Sequence, residues 1–306
     1  MNRRASRIFR RGPRPQAPTH PVDLAESLEH AQGLDRAIRT ISATVQRTLR
    51  PGPVKDALHG VPVGHPAHPP LTDLPMGAWI SVAVLDLIPG TQRASQALVA
   101  AGLAGAVPTA LTGIADWSAL HREQQRVGLV HAMSTAAASL LYSASFVARS
   151  RGRDGAGRAL GYAGLTALLA GGYLGGHLAF RQAAGASHAD QVAHLVPLGW
   201  HDLCEAAELP DGWPVLRRLG YISLFVLRHG EEIHVLTDRC SHLAGPLHQG
   251  RIVTDDDAEP CVICPWHGST FRVRDGSVVH GPATGRQPSF ESRILEDGTV
   301  QVRPIA

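Results

Sequence analysis

Two short stretches in the second half of the chain, DRCSHLAGPLHQG at residues 238–250 and CPWHGSTF at residues 264–271, decide how that half folds. Each pairs a cysteine with a histidine, at C-x-H and C-x2-H spacing, and 21 residues (243–263) separate the pairs. The surrounding runs alternate apolar and polar residues between Gly, Asp and Pro turns, which is typical of an all-β domain. Four ligand-type residues in loops between strands predict a metal site: Cys240, His242, Cys264 and His267.

Two kinds of metal centre fit this set of ligands. Zinc accepts two cysteines and two histidines, although its ligands usually come from paired knuckles or from a helix. The alternative is a [2Fe–2S] cluster with two cysteines on one iron and two histidines on the other. Each loop supplies one cysteine and one histidine, which favours the cluster.

The sequence over residues 194–306 resembles the Rieske iron–sulfur family. The matching segments are Cys240-Ser-His242, Gly245-Pro-Leu247, Cys264-Pro-Trp-His267-Gly-Ser and Gly281-Pro-Ala283. The resemblance implies that the cysteine pair holds a buried iron and that the histidine pair holds an exposed one. It also implies that Gly281 and Pro282 cover the cluster, and that one of the two histidines presents its edge to a partner.

Departures from the respiratory Rieske proteins indicate a different redox range. Ala244 and Trp266 stand where those proteins have a disulfide, so that bridge cannot form. Ser269 stands where one hydroxyl hydrogen-bonds the cluster, but Phe271 replaces the tyrosine that supplies the other. Fewer hydrogen bonds to the cluster predict a lower reduction potential, closer to that of ferredoxins that feed oxygenases.

Nothing in this half indicates a site for substrate chemistry. The oxygenases of the family carry a further domain with a 2-His-1-carboxylate iron site, and the sequence leaves no stretch to build one. We expect an electron carrier more than a catalyst, and no catalytic residue is identified. If the protein is an enzyme, it is an oxidoreductase.

Composition sets the remaining limits. A chain of 306 residues has room for two domains, and a net charge of +3 does not favour a nucleic-acid partner. Of the four cysteines, Cys204 and Cys261 lie outside the Cys/His pairs and are expected to be spare buried thiols. Metal-binding thiolates fit assembly in a reducing compartment.

The N-terminal region is basic. Six arginines fall within the first fourteen residues, but no apolar run follows up to residue 64, so we expect no cleaved export signal. Residues 1–21 predict a flexible tail, and Asp23 with Glu26 predicts a capped helix start. Apolar residues recur at helical spacing up to residue 49. This stripe is interpreted as a helix packed on the protein or as one lying on an anionic membrane surface.

Four apolar segments follow, at residues 74–88, 94–115, 127–148 and 159–180. The last three are long enough to cross a bilayer, and the first needs help from the residues before it. A soluble Ala-rich bundle is the alternative. The predicted fold class is therefore multidomain: an all-α four-helix transmembrane bundle, then an all-β Rieske-type domain of small antiparallel sheets. The expected boundaries are 1–59 for the tail and amphipathic helix, 60–185 for the bundle and 190–306 for the Rieske domain.

The segment VGHPAHPPLTDLPMGAW at residues 63–79 resembles the opening of the DUF2231 type of four-helix bacterial membrane proteins. LTGIADW at 111–117, His131 and GGHLAFR at 175–181 look like later signatures of that family, so the resemblance covers residues 60–183. It implies a membrane domain and no particular activity.

Alternation of the four spans brings several ionisable residues to one face of the membrane, the face from which the Rieske domain emerges. They form a hypothetical second site: His65, His68, Asp116, His131 and His177. Three occupants remain open for it. A haem b could be held by His131 and His177, a single metal ion by the four histidines, or a quinone by the histidines with Asp116 as proton partner.

The basic residues flanking the spans are nearly balanced between the two faces, so orientation rests on other grounds. The basic N-terminal region and the missing disulfide favour a cytoplasmic Rieske domain on the same side as the N-terminus. We predict a membrane-anchored electron-transfer protein, with a redox protein or quinone as donor or acceptor. A small membrane oxidoreductase and a redox sensor are the competing classes.

Overall fold

A computed structural model describes residues 20–305, apart from the side chains of Ala193 and His194. The first nineteen residues of the predicted tail lie outside the described residues. The described chain has two parts, a helical part and an all-β part, in the order that the sequence predicts.

Two short helices, α1 (Pro21–Glu29) and α2 (Asp35–Thr48), precede the bundle. The predicted cap at Asp23 is wrong by three positions: His20 is the N-cap, and the Asp23 carboxylate accepts its backbone N–H at 2.9 Å. Ile38 of α2 is fully buried, and Asp35 receives two hydrogen bonds, at 2.8 and 3.0 Å, from the Arg126 guanidinium. Helix α2 thus packs against the bundle, as the first of the two interpretations expects.

Helix α3 (Pro53–His59) leads into four long helices, α4 (His68–Leu85), α5 (Gln92–Ser118), α6 (Arg122–Ser150) and α7 (Asp154–Gly176). A five-residue π-helical turn, His177–Arg181, extends α7. Within the described residues, α5, α6 and α7 with its extension are long and apolar enough to span a membrane. Helix α4 is shorter, and its first half contains Asp73 and three prolines. That α4 crosses the membrane therefore stays a prediction.

Small residues let the bundle helices approach closely. The Trp79 and Tyr142 rings stack with centroids 4.2 Å apart in the bundle core. A Cβ added at Gly102 would lie 2.2 Å from the Trp79 indole nitrogen, and one at Gly164 would lie 2.9 Å from the Tyr142 ring. A larger residue would not fit at these two positions, so glycine allows the close helix packing that is typical of membrane proteins.

The second half forms two antiparallel sheets after a short helix α8 (Val192–Leu195). The six-stranded sheet has the order β1-β10-β9-β4-β3-β2 and the four-stranded sheet the order β5-β6-β7-β8. The strands are β1 (His201–Glu205), β2 (Val215–Leu219), β3 (Ile222–His229), β4 (Glu232–Thr237), β5 (Arg251–Thr254), β6 (Pro260–Ile263), β7 (Thr270–Arg272), β8 (Val278–His280), β9 (Ser289–Ile294) and β10 (Thr299–Pro304).

Strand register brings three loops to one end of the smaller sheet. Arg251, which starts β5, pairs with Ile263, which ends β6, so the loops at 238–250 and 264–269 meet there. Thr270, which starts β7, pairs with His280, which ends β8, so the segment that begins at Gly281 joins them. The pairing of four short strands thus assembles the three segments to which the sequence assigns the metal site.

Candidate metal centre

The two cysteines form the inner wall of the site. Cys240 and Cys264 are only 1% and 3% exposed, in a core cluster that includes Phe271. The two thiols hydrogen-bond each other, and the backbone N–H groups of Trp266 and His267 point at the Cys264 sulfur. These bonds lower the pKa of Cys264 to about 7, although burial opposes them. The proton shared with Cys264 and burial raise the pKa of Cys240. The pocket therefore stabilises a thiolate at Cys264, the form that binds a metal, whereas Cys240 retains the shared proton.

The two histidines lie side by side, with the ring centroids of His242 and His267 5.1 Å apart and the planes nearly perpendicular at 86°. Within the described part of the chain, Nδ1 of His242 is buried without a hydrogen-bond partner. Burial, more than neighbouring charge, lowers the pKa of both imidazoles, that of His267 to about 4. Both rings are therefore neutral at pH 7, the form that ligates a metal.

Tight turns place these side chains. The Cys240 N–H donates to Gly245 O at 2.9 Å and the Cys264 N–H to Ser269 O at 2.8 Å, closing the two loops. A Cβ at Gly245 would lie 2.8 Å from the Cys264 sulfur, so only glycine lets the first loop pass against the second. Gly268 turns at a φ of +80°, which favours glycine.

Two buried polar side chains tie the third segment to the loops. The Ser269 hydroxyl accepts the Ala283 N–H at 2.9 Å, which leaves its own proton free to donate. The Gln287 amide accepts the Ser241 N–H at 2.9 Å and donates to Thr237 O at 2.8 Å. Ser269 was predicted from the sequence. Gln287 was missed, because glutamine carries no motif signal of its own.

The donor set fits two irons better than one zinc. Among the described residues, no group of three or more His, Cys, Asp or Glu side chains is spaced to hold a single ion. The cysteine pair is inside and the histidine pair outside, so the four side chains do not converge on one point. A [2Fe–2S] cluster needs this separation into a sulfur end and an imidazole end.

The bundle packs directly against these loops. The Asp56 carboxylate of α3 accepts the Gly281 N–H at 2.9 Å and lies 2.8 Å from Nδ1 of His280. His121, between α5 and α6, lies edge-on to Trp266 and His267, with centroid distances of 5.2 and 5.4 Å. One end of the bundle therefore covers part of the histidine side, while Trp266 stays 49% exposed.

The five residues of the hypothetical second site do not form one cluster. His68 and His131 are neighbours, with ring centroids 6.4 Å apart, and their Nδ1 atoms lie 2.9 and 2.7 Å from the carbonyl oxygens of Thr109 and Gly171. His177 Nε2 lies 2.8 Å from the Glu29 carboxylate.

The other two members of that group, Asp116 and His65, lie elsewhere. They line a cavity of about 220 Å³ between the bundle and the β half. Asp116 is bound to His59, with Nδ1 2.6 Å from Oδ1. Sequence reasoning missed His59, since it lies in a short helix outside the matched signatures. The position of His59 depends on the packing of α3 against the end of α5, which no local sequence pattern predicts.

The remaining cysteines take no part in the loops. Cys261 is fully buried and Cys204 partly buried, and all four cysteines are free thiols. Burial raises the pKa of both thiols, that of Cys261 to about 11.

Family comparisons agree with this division of the chain. The family described as Rieske [2Fe-2S] domain matches residues 199–291, and that described as predicted membrane protein (DUF2231) matches residues 64–188.

Comparison with curated proteins finds similarity to the anthranilate 1,2-dioxygenase ferredoxin subunit of Burkholderia cepacia. It is 31% identical over 34% of this chain and 90% of its own length. A human Rieske domain-containing protein is 33% identical, over 25% of this chain and 48% of its own length.

Among solved structures, the ferredoxin of carbazole 1,9a-dioxygenase from Nocardioides aromaticivorans IC177 is 21% identical, with a TM-score of 0.31. The match covers 35% of this chain and 98% of that one. A chain from a complex of oxygenase and ferredoxin in carbazole 1,9a-dioxygenase is 30% identical, with a TM-score of 0.30, and the match covers 34% and 92% of the two chains.

The anthranilate 1,2-dioxygenase ferredoxin subunit matches over 90% of its own length, and the loops that carry the cysteine and histidine pairs fall inside residues 199–291, which the Rieske family model matches. The chain belongs to the Rieske [2Fe–2S] family, and a DUF2231 membrane domain precedes its Rieske domain.

Proposed function

We propose that this protein is a membrane-anchored electron carrier. In it, Cys240 and Cys264 hold one iron of the cluster and His242 and His267 hold the other. The observation that carries the proposal is the burial of two adjacent thiols close to two neighbouring imidazoles, of which His242 has a buried Nδ1 without a partner among the described residues. When bound, the cluster supplies reversible one-electron transfer.

The protein's own residues shape the route to that cluster. The sulfur side is sealed in the core, so electrons reach the cluster through the imidazole side. There, His121 covers part of the surface and Trp266 remains open to solvent. A redox protein is the proposed partner, and Trp266 offers it an aromatic contact next to a proposed ligand.

Membrane anchoring is the second element of the proposal. In the most apolar 18-residue stretch of each of α5, α6 and α7, only 22–28% is buried inside the protein, so most of this apolar surface faces outward. Lipid would remove that surface from water. We propose that α4 crosses with them and that both termini face the cytoplasm.

The test of the ligands is EPR of the purified, detergent-solubilised protein after dithionite, at low temperature. A reduced signal with an average g near 1.9 is expected. Cys264→Ser should abolish it, whereas Cys204→Ser, a cysteine change outside the loops, should leave it intact. Stoichiometric zinc without an EPR signal would contradict the proposal.

A small membrane oxidoreductase is the alternative, in which the membrane-domain histidines bind a quinone, a haem or a metal ion. The observation that favours it is the cavity shared by Asp116, His65 and His242. For a haem, His177 would have to leave Glu29. An optical spectrum of the same EPR sample tests this: haem bands that vanish in His131→Ala would establish a second cofactor.

A further inference from the structure

A partly open cavity lies between the two halves of the molecule, beside His242. The cavity holds about 220 Å³ and is lined by the bundle on one side and by the loops of the Rieske domain on the other. Neither Cys240, Cys264 nor His267 lines it. It is therefore distinct from the space between the four proposed ligands, of which His242 alone borders it.

His59 gives this cavity its polar character. The side chain is fully buried and lines the cavity, and its Nε2 has no hydrogen-bond partner among residues 20–305. Its Nδ1 lies 2.6 Å from the Asp116 carboxylate, which can only accept a hydrogen bond. In the neutral ring the proton is therefore on Nδ1, and Nε2 is a bare acceptor. A buried polar atom without a partner costs free energy unless something fills its site.

The lining as a whole is more apolar than polar, although His65, Ser187, Ser241 and Thr284 also contribute to it. Leu120 comes from the end of α5, Pro66 from the α3–α4 connection, and Pro282 and Ala283 from the covering segment. An apolar cavity of about 150 Å³ is enough to hold a benzene ring. The shape therefore suits one six-membered ring whose single polar group meets His59.

We propose that this cavity binds one small aromatic molecule through a hydroxyl group, which donates its hydrogen bond to Nε2 of His59. Asp116 is a positioning residue that fixes the proton on Nδ1. The ring lies between the apolar side chains, next to His242. The nearness to iron rests on the proposed cluster, but the binding itself does not.

The probe is 4-fluorophenol, observed by ¹⁹F NMR with the full-length protein in lipid nanodiscs. The matched probe is 4-fluoroanisole, which has the same ring and oxygen but no proton to donate. Protein-containing discs should broaden the phenol resonance more than empty discs do, and the anisole resonance much less. Equal broadening of the two probes would overturn the proposal.

Three variants locate the site. His59→Phe removes the acceptor, and Asp116→Asn keeps the shape but lets an amide N–H meet Nδ1, which moves the ring proton to Nε2. Both should weaken phenol binding about threefold to tenfold, the effect of one neutral hydrogen bond. His201→Phe, on β1 and outside the lining, should bind as the original chain does. Unchanged affinity in His59→Phe or in Asp116→Asn would overturn the proposal.

Reducing the cluster tests the position of the bound phenol. The same experiment distinguishes failure of phenol binding from failure of the proposed cluster ligands. A paramagnetic reduced cluster should broaden the bound phenol further, and the extra broadening should be absent in the cluster-free Cys264→Ser. If no EPR signal exists, the cluster assignment fails, yet the difference between phenol and anisole still decides whether the cavity binds. Equal broadening of the bound phenol in the reduced original protein and in Cys264→Ser would overturn the assigned position.

Discussion

Ser269, which we propose as a hydrogen-bond donor to the cluster, also holds the covering segment in place. Its hydroxyl oxygen accepts the Ala283 N–H, and this fixes where the hydroxyl proton can point. The hydroxyl is fully buried. A donor held in this way stabilises the reduced, more negative state of an iron–sulfur cluster.

We therefore expect Ser269→Ala to lower the reduction potential. One hydrogen bond of about 0.5–1.5 kcal/mol corresponds to roughly 20–60 mV for a one-electron couple. Redox titration followed by EPR measures the shift. The control is Ser223→Ala, a hydroxyl change on β3, which should leave the potential unchanged. A potential that rises in Ser269→Ala would contradict the assigned direction.

Gln287 has a structural role that does not depend on metal binding. Its buried amide joins Ser241 beside the first loop to Thr237 at the end of β4. Gln287→Ala leaves these buried backbone groups without partners, at about 1–3 kcal/mol each. Heating while following the visible absorption of the cluster should show loss at a lower temperature. Loss at the original temperature would mean that water replaces the amide.

At the scale of the helices, close packing in the bundle depends on missing side chains. Gly102→Ala places a Cβ where the Trp79 indole lies, at 2.2 Å. We expect this variant to lower the thermal unfolding temperature of the detergent-solubilised protein. Gly77→Ala is the matched control, since it lies in α4 with nothing within 4 Å. It should be neutral or stabilising by up to about 1 kcal/mol, because alanine is the better helix former.

A buried ion pair closes the other end of the bundle. Asp86 receives two hydrogen bonds from the Arg149 guanidinium, at 2.9 and 2.5 Å, and both side chains are buried. The sequence placed Asp86 inside the first apolar segment, where a lone charge would be costly. The structure shows that its partner comes from α6, which no local pattern reveals.

The strands show which features of the fold can be predicted from the sequence. Alternation predicts β structure, and Cys/His spacing marks the loops, since both signals are local. The meeting of Arg251 with Ile263 and of Thr270 with His280 depends on pairing between distant residues. The resemblance to a known family implied that the cysteine and histidine loops share one site, but the strand pairing that brings them together was not predicted.

For the whole molecule, the contact between the two halves was the least predictable feature. Asp56, His59 and His121 carry it, and they lie in a short helix and a loop, where periodicity gives no information. The sequence did predict that Asp116 and His65 lie on the face from which the Rieske domain emerges. No pattern in the sequence indicates that Asp116 contacts His59, which lies 57 residues away.

Asp56 provides a test of the docking. Asp56→Ala removes the acceptor for the Gly281 N–H and the partner of His280, while the loops that carry the proposed ligands stay intact. Limited proteolysis of the connection at residues 182–191 should become faster, with the EPR signal unchanged. Asp73→Ala, a similar change in α4, serves as the control. Unchanged cleavage would show that the other contacts suffice to hold the halves together.

The pairing of β5 with β6 also makes the metal site a check on correct folding. Side chains alternate between the faces of a sheet, so a slip of one residue would turn every side chain of the slipped strand to the opposite face. It would also separate the two loops, because Arg251 and Ile263 fix how they meet. A misregistered chain cannot gather its ligands, so the colour of the purified protein would itself report the fraction that folded correctly.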